Sequence, residues 1–294
     1  MPAAGGGSAP SRGEDEAALQ VKELAPGMRR LLWVAGALVF LAGVQLFVFT
    51  ERTATHFAWT IDVPLTAAFL GAGYWASVAF EWLAARERVW ANARIAVPTV
   101  FVFTTLTLVA TFLHLDLFHL GSAFEPANQA VTWGWIAIYT FVPVAMVVIG
   151  ARQRQVGGLD PPRGSGVPRW VAGVLVAQAL VMLLAGAYLF LAPATAAALW
   201  PWPLTPLTGR AVGAWVFSLG LGAAHCLWAN DPRRARPMAV GYVALGLLEA
   251  AAVARYPETV AWGEPQAIAY VGFLASFVVT GVALLWTEPR RGSA

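Results

Sequence analysis

The chain has 294 residues, of which 59% are hydrophobic and 12% are charged, and its mean hydropathy is +0.63. A soluble domain has about 45–50% apolar and about 25% charged residues, so this chain carries too few charges to cover its surface in water. The net charge of +3 comes from short arginine clusters between apolar runs, which does not indicate a nucleic-acid partner. The composition predicts that lipid surrounds most of the molecule.

Eight apolar segments are long enough to cross a membrane, because a hydrocarbon core about 30 Å thick needs roughly 20 residues of helix. In chain order they are 31–49, 63–84, 95–115, 131–150, 170–191, 211–229, 238–254 and 267–286. We therefore predict an all-α integral membrane protein with eight transmembrane helices. The preceding residues, 1–27, are rich in small and acidic residues, which is typical of a disordered tail.

Arginine alternates between the predicted connections. The N-terminal flank, the second, fourth and sixth connections and the C-terminal tail are basic, whereas each odd connection has at most one arginine. Basic loops stay on the cytoplasmic side, so the alternation predicts that both termini are cytoplasmic. The Ala-, Arg- and Gly-rich composition favours a bacterial source, and therefore the bacterial cytoplasmic (inner) membrane.

The two halves of the chain resemble each other at a constant shift, which we call the repeat offset. It places the tripeptide Pro-Leu-Thr that begins at Pro64 on the one that begins at Pro206, and it pairs Asp116 with Glu258. An even number of helices preserves orientation, so we predict two tandem, parallel four-helix repeats. The predicted parts are a cytoplasmic tail (1–27), a first repeat (28–151), a cytoplasmic linker (152–168), a second repeat (169–287) and a cytoplasmic tail (288–294).

Polar residues cluster where the third predicted span leaves the outer face of the membrane. His114, Asp116 and His119 offer imidazole and carboxylate groups, which are ligands for zinc and other divalent metals. On a continuous helix the two histidines would point about 140° apart, so a shared metal requires the helix to end there. The alternative interpretation, which we favour, is that these side chains meet water and lipid headgroups.

Glu249 lies within the seventh predicted span. An acidic residue at this depth usually faces a bundle interior or a water-filled cavity, which makes Glu249 a candidate for proton coupling in transport. The alternative is a carboxyl that reaches the outer interface or bonds a neighbouring helix. Glu81, near the cytoplasmic end of the second span, is interpreted as an interfacial anchor that pairs with Arg86 or Arg88. No cofactor is predicted, although a divalent metal at the outer cluster stays open.

One stretch of the chain resembles a motif in uncharacterised bacterial multi-pass membrane proteins. Residues 57–75 read FAWTIDVPLTAAFLGAGYW, and the later WPWPLTPLT of 200–208 is similar. The resemblance implies a multi-pass membrane protein and brings no activity, substrate or site residue.

Three classes of function stay open. The leading hypothesis is a transporter or permease-like protein for a small or lipophilic solute, because few polar groups are available to solvate a strongly polar one. The alternatives are a membrane-embedded enzyme that uses the outer His/Asp cluster, and a non-catalytic assembly or sensory partner. The sequence contains no Walker loop, HExxH or GxSxG motif, so an enzyme is the less favoured class. Expected partners are the lipid bilayer, a small molecule, and a second copy or another membrane protein.

Overall fold

The computed structural model describes residues 20–287. The predicted C-terminal tail and most of the predicted N-terminal tail lie outside the described residues. Within the described part, eight long helices form the bundle. They are α1 (Pro26–Gly43), α2 (Pro64–Arg86), α3 (Ala96–Leu113), α4 (Pro126–Arg154), α5 (Arg169–Leu191), α6 (Pro206–Ala229), α7 (Pro232–Arg255) and α8 (Pro265–Thr287).

Local sequence explains where these helices begin and end. Most of them start at proline, which is favoured in the first turn because its missing N–H would have no helical acceptor there. A π-helical turn, Val44–Val48, extends α1, and a single turn, Trp90–Ala93, precedes α3. Asn230 ends α6 with a φ of 44°, the left-handed conformation that commonly closes a helix.

Seven of the eight helices are long and apolar enough to cross a membrane, as a polytopic membrane protein requires. The exception is α2, which occupies the place of the second predicted span. Its glycines, its aromatic residues and Glu81 lower its hydropathy, and 15 of its 23 residues are buried. It is a central helix, shielded by its neighbours.

Corresponding helices make corresponding contacts in the two halves. Within the halves, α1 packs on α2 and α3 on α4, as α5 packs on α6 and α7 on α8. Between the halves, α2 packs on α7 and α3 packs on α6. The centre of the bundle is therefore made by α2, α3, α6 and α7, and the other four helices flank it.

A glycine permits close helix approach at the same place in each half. A Cβ atom on Gly71 of α2 would lie 2.5 Å from the backbone nitrogen of Phe47, and one on Gly213 of α6 would lie 2.8 Å from that of Phe190. Real Cβ atoms do not come this close to backbone atoms, so only glycine allows these helices their observed separation. The repeat offset relates Gly71 to Gly213.

The N-terminal segment 20–25 is held against the arginine-rich end of the bundle. The backbone N–H of Lys22 donates to the carbonyl of Leu159 at 2.9 Å, and that of Leu24 donates to the carbonyl of Arg88 at 2.8 Å. The predicted disordered tail, 1–27, is therefore too long at its C-terminal end, because backbone pairing orders its last residues and α1 already begins at Pro26.

Candidate functional site

His119 is a buried structural residue in the connection between α3 and α4. Its side chain is 1% exposed; Nδ1 donates to the carbonyl of Phe57 at 2.9 Å and Nε2 accepts from the hydroxyl of Thr60 at 3.0 Å. Burial lowers the pKa of His119, against the opposing effect of the Phe57 hydrogen bond. The neutral ring thus joins the connection after α3 to the one before α2.

The predicted metal ligands are not assembled into a site. Nε2 of His114 accepts from the Arg210 guanidinium at 2.7 Å, and burial together with the charge of Arg210 lowers the pKa of His114, opposed by Asp116. Asp116 itself is exposed. Residues 20–287 contain no group of three or more His, Cys, Asp or Glu side chains placed to hold a metal ion. The structure thus does not bring His114, Asp116 and His119 together, since Nε2 of His114 and both ring nitrogens of His119 are used in hydrogen bonds.

Glu249 lies inside the protein, between α7 and α8. Its carboxyl is 1% exposed, and Oε2 accepts from the hydroxyl of Tyr270 at 3.1 Å, while Oε1 has no hydrogen-bond partner within the described part of the chain. The ring of Tyr270 packs against Trp200 and Trp202, with centroids 5.9 and 5.2 Å away. Glu249 therefore faces the bundle and not the lipid, next to an aromatic cluster of the α5–α6 connection.

A cavity of about 70 Å³ lies at the junction of the two halves. Its lining comes from all four helices of the first half and from α6 and α7 of the second half. Most of the wall is apolar or aromatic: Phe80, Val100, Phe103, Trp215, Met238 and Leu245 contribute to it. We call this space the central cavity.

Polar groups of the central cavity include a carboxyl group that lacks a partner. Glu81 is 2% exposed, and its Oε2 has no hydrogen-bond partner among residues 20–287. Tyr242, which is 0% exposed, likewise lines the cavity with an unpartnered hydroxyl. The hydroxyl of Tyr139, by contrast, is paired with that of Tyr74 at 2.5 Å.

The interpretation of Glu81 as an interfacial anchor is wrong. Arg86 lies over the ring of Trp33, 5.6 Å from its centroid, and Arg88 pairs with Glu23 at 3.4 Å.

Sequence contained a usable signal, because residues five positions apart, such as Glu81 and Arg86, point about 140° apart on a helix. The hydroxyl of Tyr242 was missed altogether, since a tyrosine in an apolar helix is ordinarily packing.

The central cavity reaches toward the flank of the bundle between α1 and α4. Its lining residues on these two helices, Leu38, Val39, Ile138 and Val142, are half-buried. In addition, α1 makes much less contact with α4 than with α2. This side of the cavity is therefore the side nearest to lipid.

Two polar residues of the lining, Glu81 and Tyr139, have no polar counterpart in the second half. At the repeat offset, Ala223 is the counterpart of Glu81 and Gly281 is the counterpart of Tyr139. The corresponding place in the second half thus lacks both the carboxyl and the phenol, and the two halves are not chemically equivalent.

Comparisons with known proteins find no relative of this chain. No protein-family model, curated protein or solved structure matches it. The interpretation of the central cavity therefore rests on the residues that line it.

Proposed function

We propose that this polytopic membrane protein is a transporter or permease-like protein that takes a small solute into the central cavity. The observation that carries the proposal is the cavity itself, which is walled by both halves of the bundle and contains an unpaired carboxyl in an apolar surround. A largely apolar pocket with a few convergent polar groups is the usual form of a small-molecule site. In transporters built from repeats, the site lies at the interface of the repeats.

We also infer the two parallel four-helix repeats, with both termini on the arginine-rich, cytoplasmic side of the bacterial inner membrane. The equivalent contacts α2–α7 and α6–α3 support the repeat. So do the short turns Leu115–Leu117 and Pro257–Thr259, which the repeat offset places on each other in the two outer connections. Such a pair of halves can move against each other around a site between them.

Glu249 is the proposed proton-coupling residue. It lies on α7, the helix that also supplies Gly241, Tyr242 and Leu245 to the cavity wall, and one of its carboxyl oxygens is unpaired. A movement of α7 would therefore shift both Glu249 and its part of the cavity wall. The enzyme hypothesis has no comparable support, because residues 20–287 contain no group of three or more His, Cys, Asp or Glu side chains placed to hold a metal ion.

Solute flux into proteoliposomes tests the proposal, with a panel of small uncharged and monocationic organic molecules. We expect saturable flux of at least one of them. Gly241→Leu should reduce it at least tenfold, because Gly241 lines the cavity and its added Cβ would lie 3.5 Å from Phe80. Glu249→Gln should abolish only the component driven by a pH gradient.

Gly134→Leu is the matched control, because a Cβ at this helical glycine of α4 meets nothing within 4 Å. It should transport as the wild type does. Absence of saturable flux for the whole panel, or equal flux in Gly241→Leu and the wild type, would contradict the proposal.

A further inference from the structure

Resting on the proposed function, we propose that the ligand of the central cavity is a small lipophilic monocation of the alkylammonium class, with the carboxylate of Glu81 as its counter-ion. The unpaired buried carboxyl, the aromatic wall and the size of the cavity each support this ligand chemistry.

Within residues 20–287, no ion pair with a cationic side chain is found for Glu81. No Lys, Arg or His belongs to the described lining of the cavity. Nearby arginines at this end of the bundle are engaged elsewhere: Arg88 pairs with Glu23, and Arg94 pairs with Asp160 at 2.8 Å. An ionised carboxyl buried without a partner is strongly disfavoured, so the carboxyl of the empty cavity keeps its proton. A cationic ligand replaces that proton, which leaves to solvent, and becomes the partner of the Glu81 carboxylate; a neutral ligand cannot do so.

The aromatic wall suits an organic cation. Phe103 and Trp215 lie together with ring centroids 4.0 Å apart, and Tyr139 and Tyr242 also line the cavity. Ring faces attract ammonium groups within about 6 Å of their centroids, more strongly when water is excluded. Glu81 thus provides the charge and the rings provide a polarisable surface around it.

An inorganic cation does not fit the remainder of the lining. Divalent ions such as Ca²⁺ take roughly six or more oxygen ligands, usually with several carboxylates among them, whereas Glu81 is the only carboxyl of the described lining. Most of the remaining wall is apolar or aromatic. An alkylammonium ion carries its own apolar surface and needs no oxygen cage.

Cavity size limits the ligand to a few heavy atoms. A volume of about 70 Å³ corresponds to about five water positions at roughly 15 Å³ each. Tetramethylammonium, with its five heavy atoms, is therefore a matched probe.

Equilibrium binding of radiolabelled tetramethylammonium to the full-length protein in nanodiscs tests the inference. We expect saturable binding that Glu81→Gln weakens at least tenfold, since the amide keeps the size of the side chain and removes its charge. Glu258→Gln, which removes an exposed carboxylate from an outer connection, should leave affinity unchanged. The uncharged tert-butyl alcohol, of similar shape, should not compete.

Phe103→Leu provides an independent variant, expected to weaken binding several-fold without touching the carboxyl, and it decides the question if Glu81→Gln does not fold. Equal affinity in the wild type, Glu81→Gln and Phe103→Leu, or competition by tert-butyl alcohol, would overturn the inference. Flux of a neutral solute that Gly241→Leu blocks, with no tetramethylammonium binding, overturns the cation site and leaves the proposed function standing. Saturable cation binding without flux of any solute overturns the proposed function and leaves the cation site standing.

Discussion

His119 is a residue whose structural role depends on its protonation state. The neutral ring can donate from Nδ1 to Phe57 and accept at Nε2 from Thr60. Protonation makes Nε2 a donor, so the hydrogen bond with the Thr60 hydroxyl must reverse, and it places a charge in a buried position, which is why burial lowers the pKa of His119. The histidine thus stabilises the connections after α3 and before α2 most strongly while it is neutral.

We expect acid to destabilise the protein through His119. The unfolded chain takes up a proton near the ordinary histidine pKa of about 6.5, while the folded chain does not. The contribution of His119 to the free energy of unfolding is therefore fully present above this pH and decreases below it. Thermal unfolding in detergent between about pH 8 and pH 5 should show a Tm that decreases with acid, and less steeply in His119→Asn. The exposed His56 provides the control His56→Asn, which should keep the wild-type slope; an unchanged slope in His119→Asn would contradict this role.

At the scale of single elements, the distribution of arginines predicts a membrane crossing at α2 that hydropathy alone does not predict. Its hydropathy is too low to mark it as a membrane span, yet the alternation of basic connections requires a crossing between Asp62 and Arg88. Burial explains the difference, because a central helix can carry small residues and a glutamate that lipid would not tolerate.

We predict that α2 crosses the membrane. In a Cys226→Ala background, a membrane-impermeant maleimide should label Asp62→Cys on intact cells, and should label Arg88→Cys only after the membrane is opened. Both positions lie just beyond the ends of α2, and Asp62 is exposed while the Arg88 side chain is 84% exposed, so each is accessible on its own side. Labelling of both from the same side would remove the crossing and with it the even number of spans.

On the scale of the whole molecule, the sequence predicted where the helices lie along the chain better than it predicted which helices contact one another. The third predicted span, 95–115, lies close to the observed Ala96–Leu113 at both ends, because apolar runs mark helix length directly. The fourth, 131–150, is too short against Pro126–Arg154, since the polar ends of α4 extend beyond the apolar run.

The central cavity was beyond the reach of sequence patterns. Its wall brings together residues as distant as Glu81 and Tyr242, which depends on the contact between α2 and α7. Neither helix shows a polar stripe that points to this contact. Proximity in sequence likewise did not reveal that Arg210 and Phe57 form hydrogen bonds with the two histidines of the predicted metal cluster.

The reactivity of a cysteine at Ser77 tests the central cavity most directly. Ser77 is a half-buried residue of the cavity wall, whereas the native Cys226 is 0% exposed. With the small, membrane-permeant reagent methyl methanethiosulfonate, Ser77→Cys in a Cys226→Ala background should react readily, and the added Gly241→Leu should slow it at least tenfold. Reaction no faster than that of Cys226 in the wild type would contradict an accessible cavity between the halves.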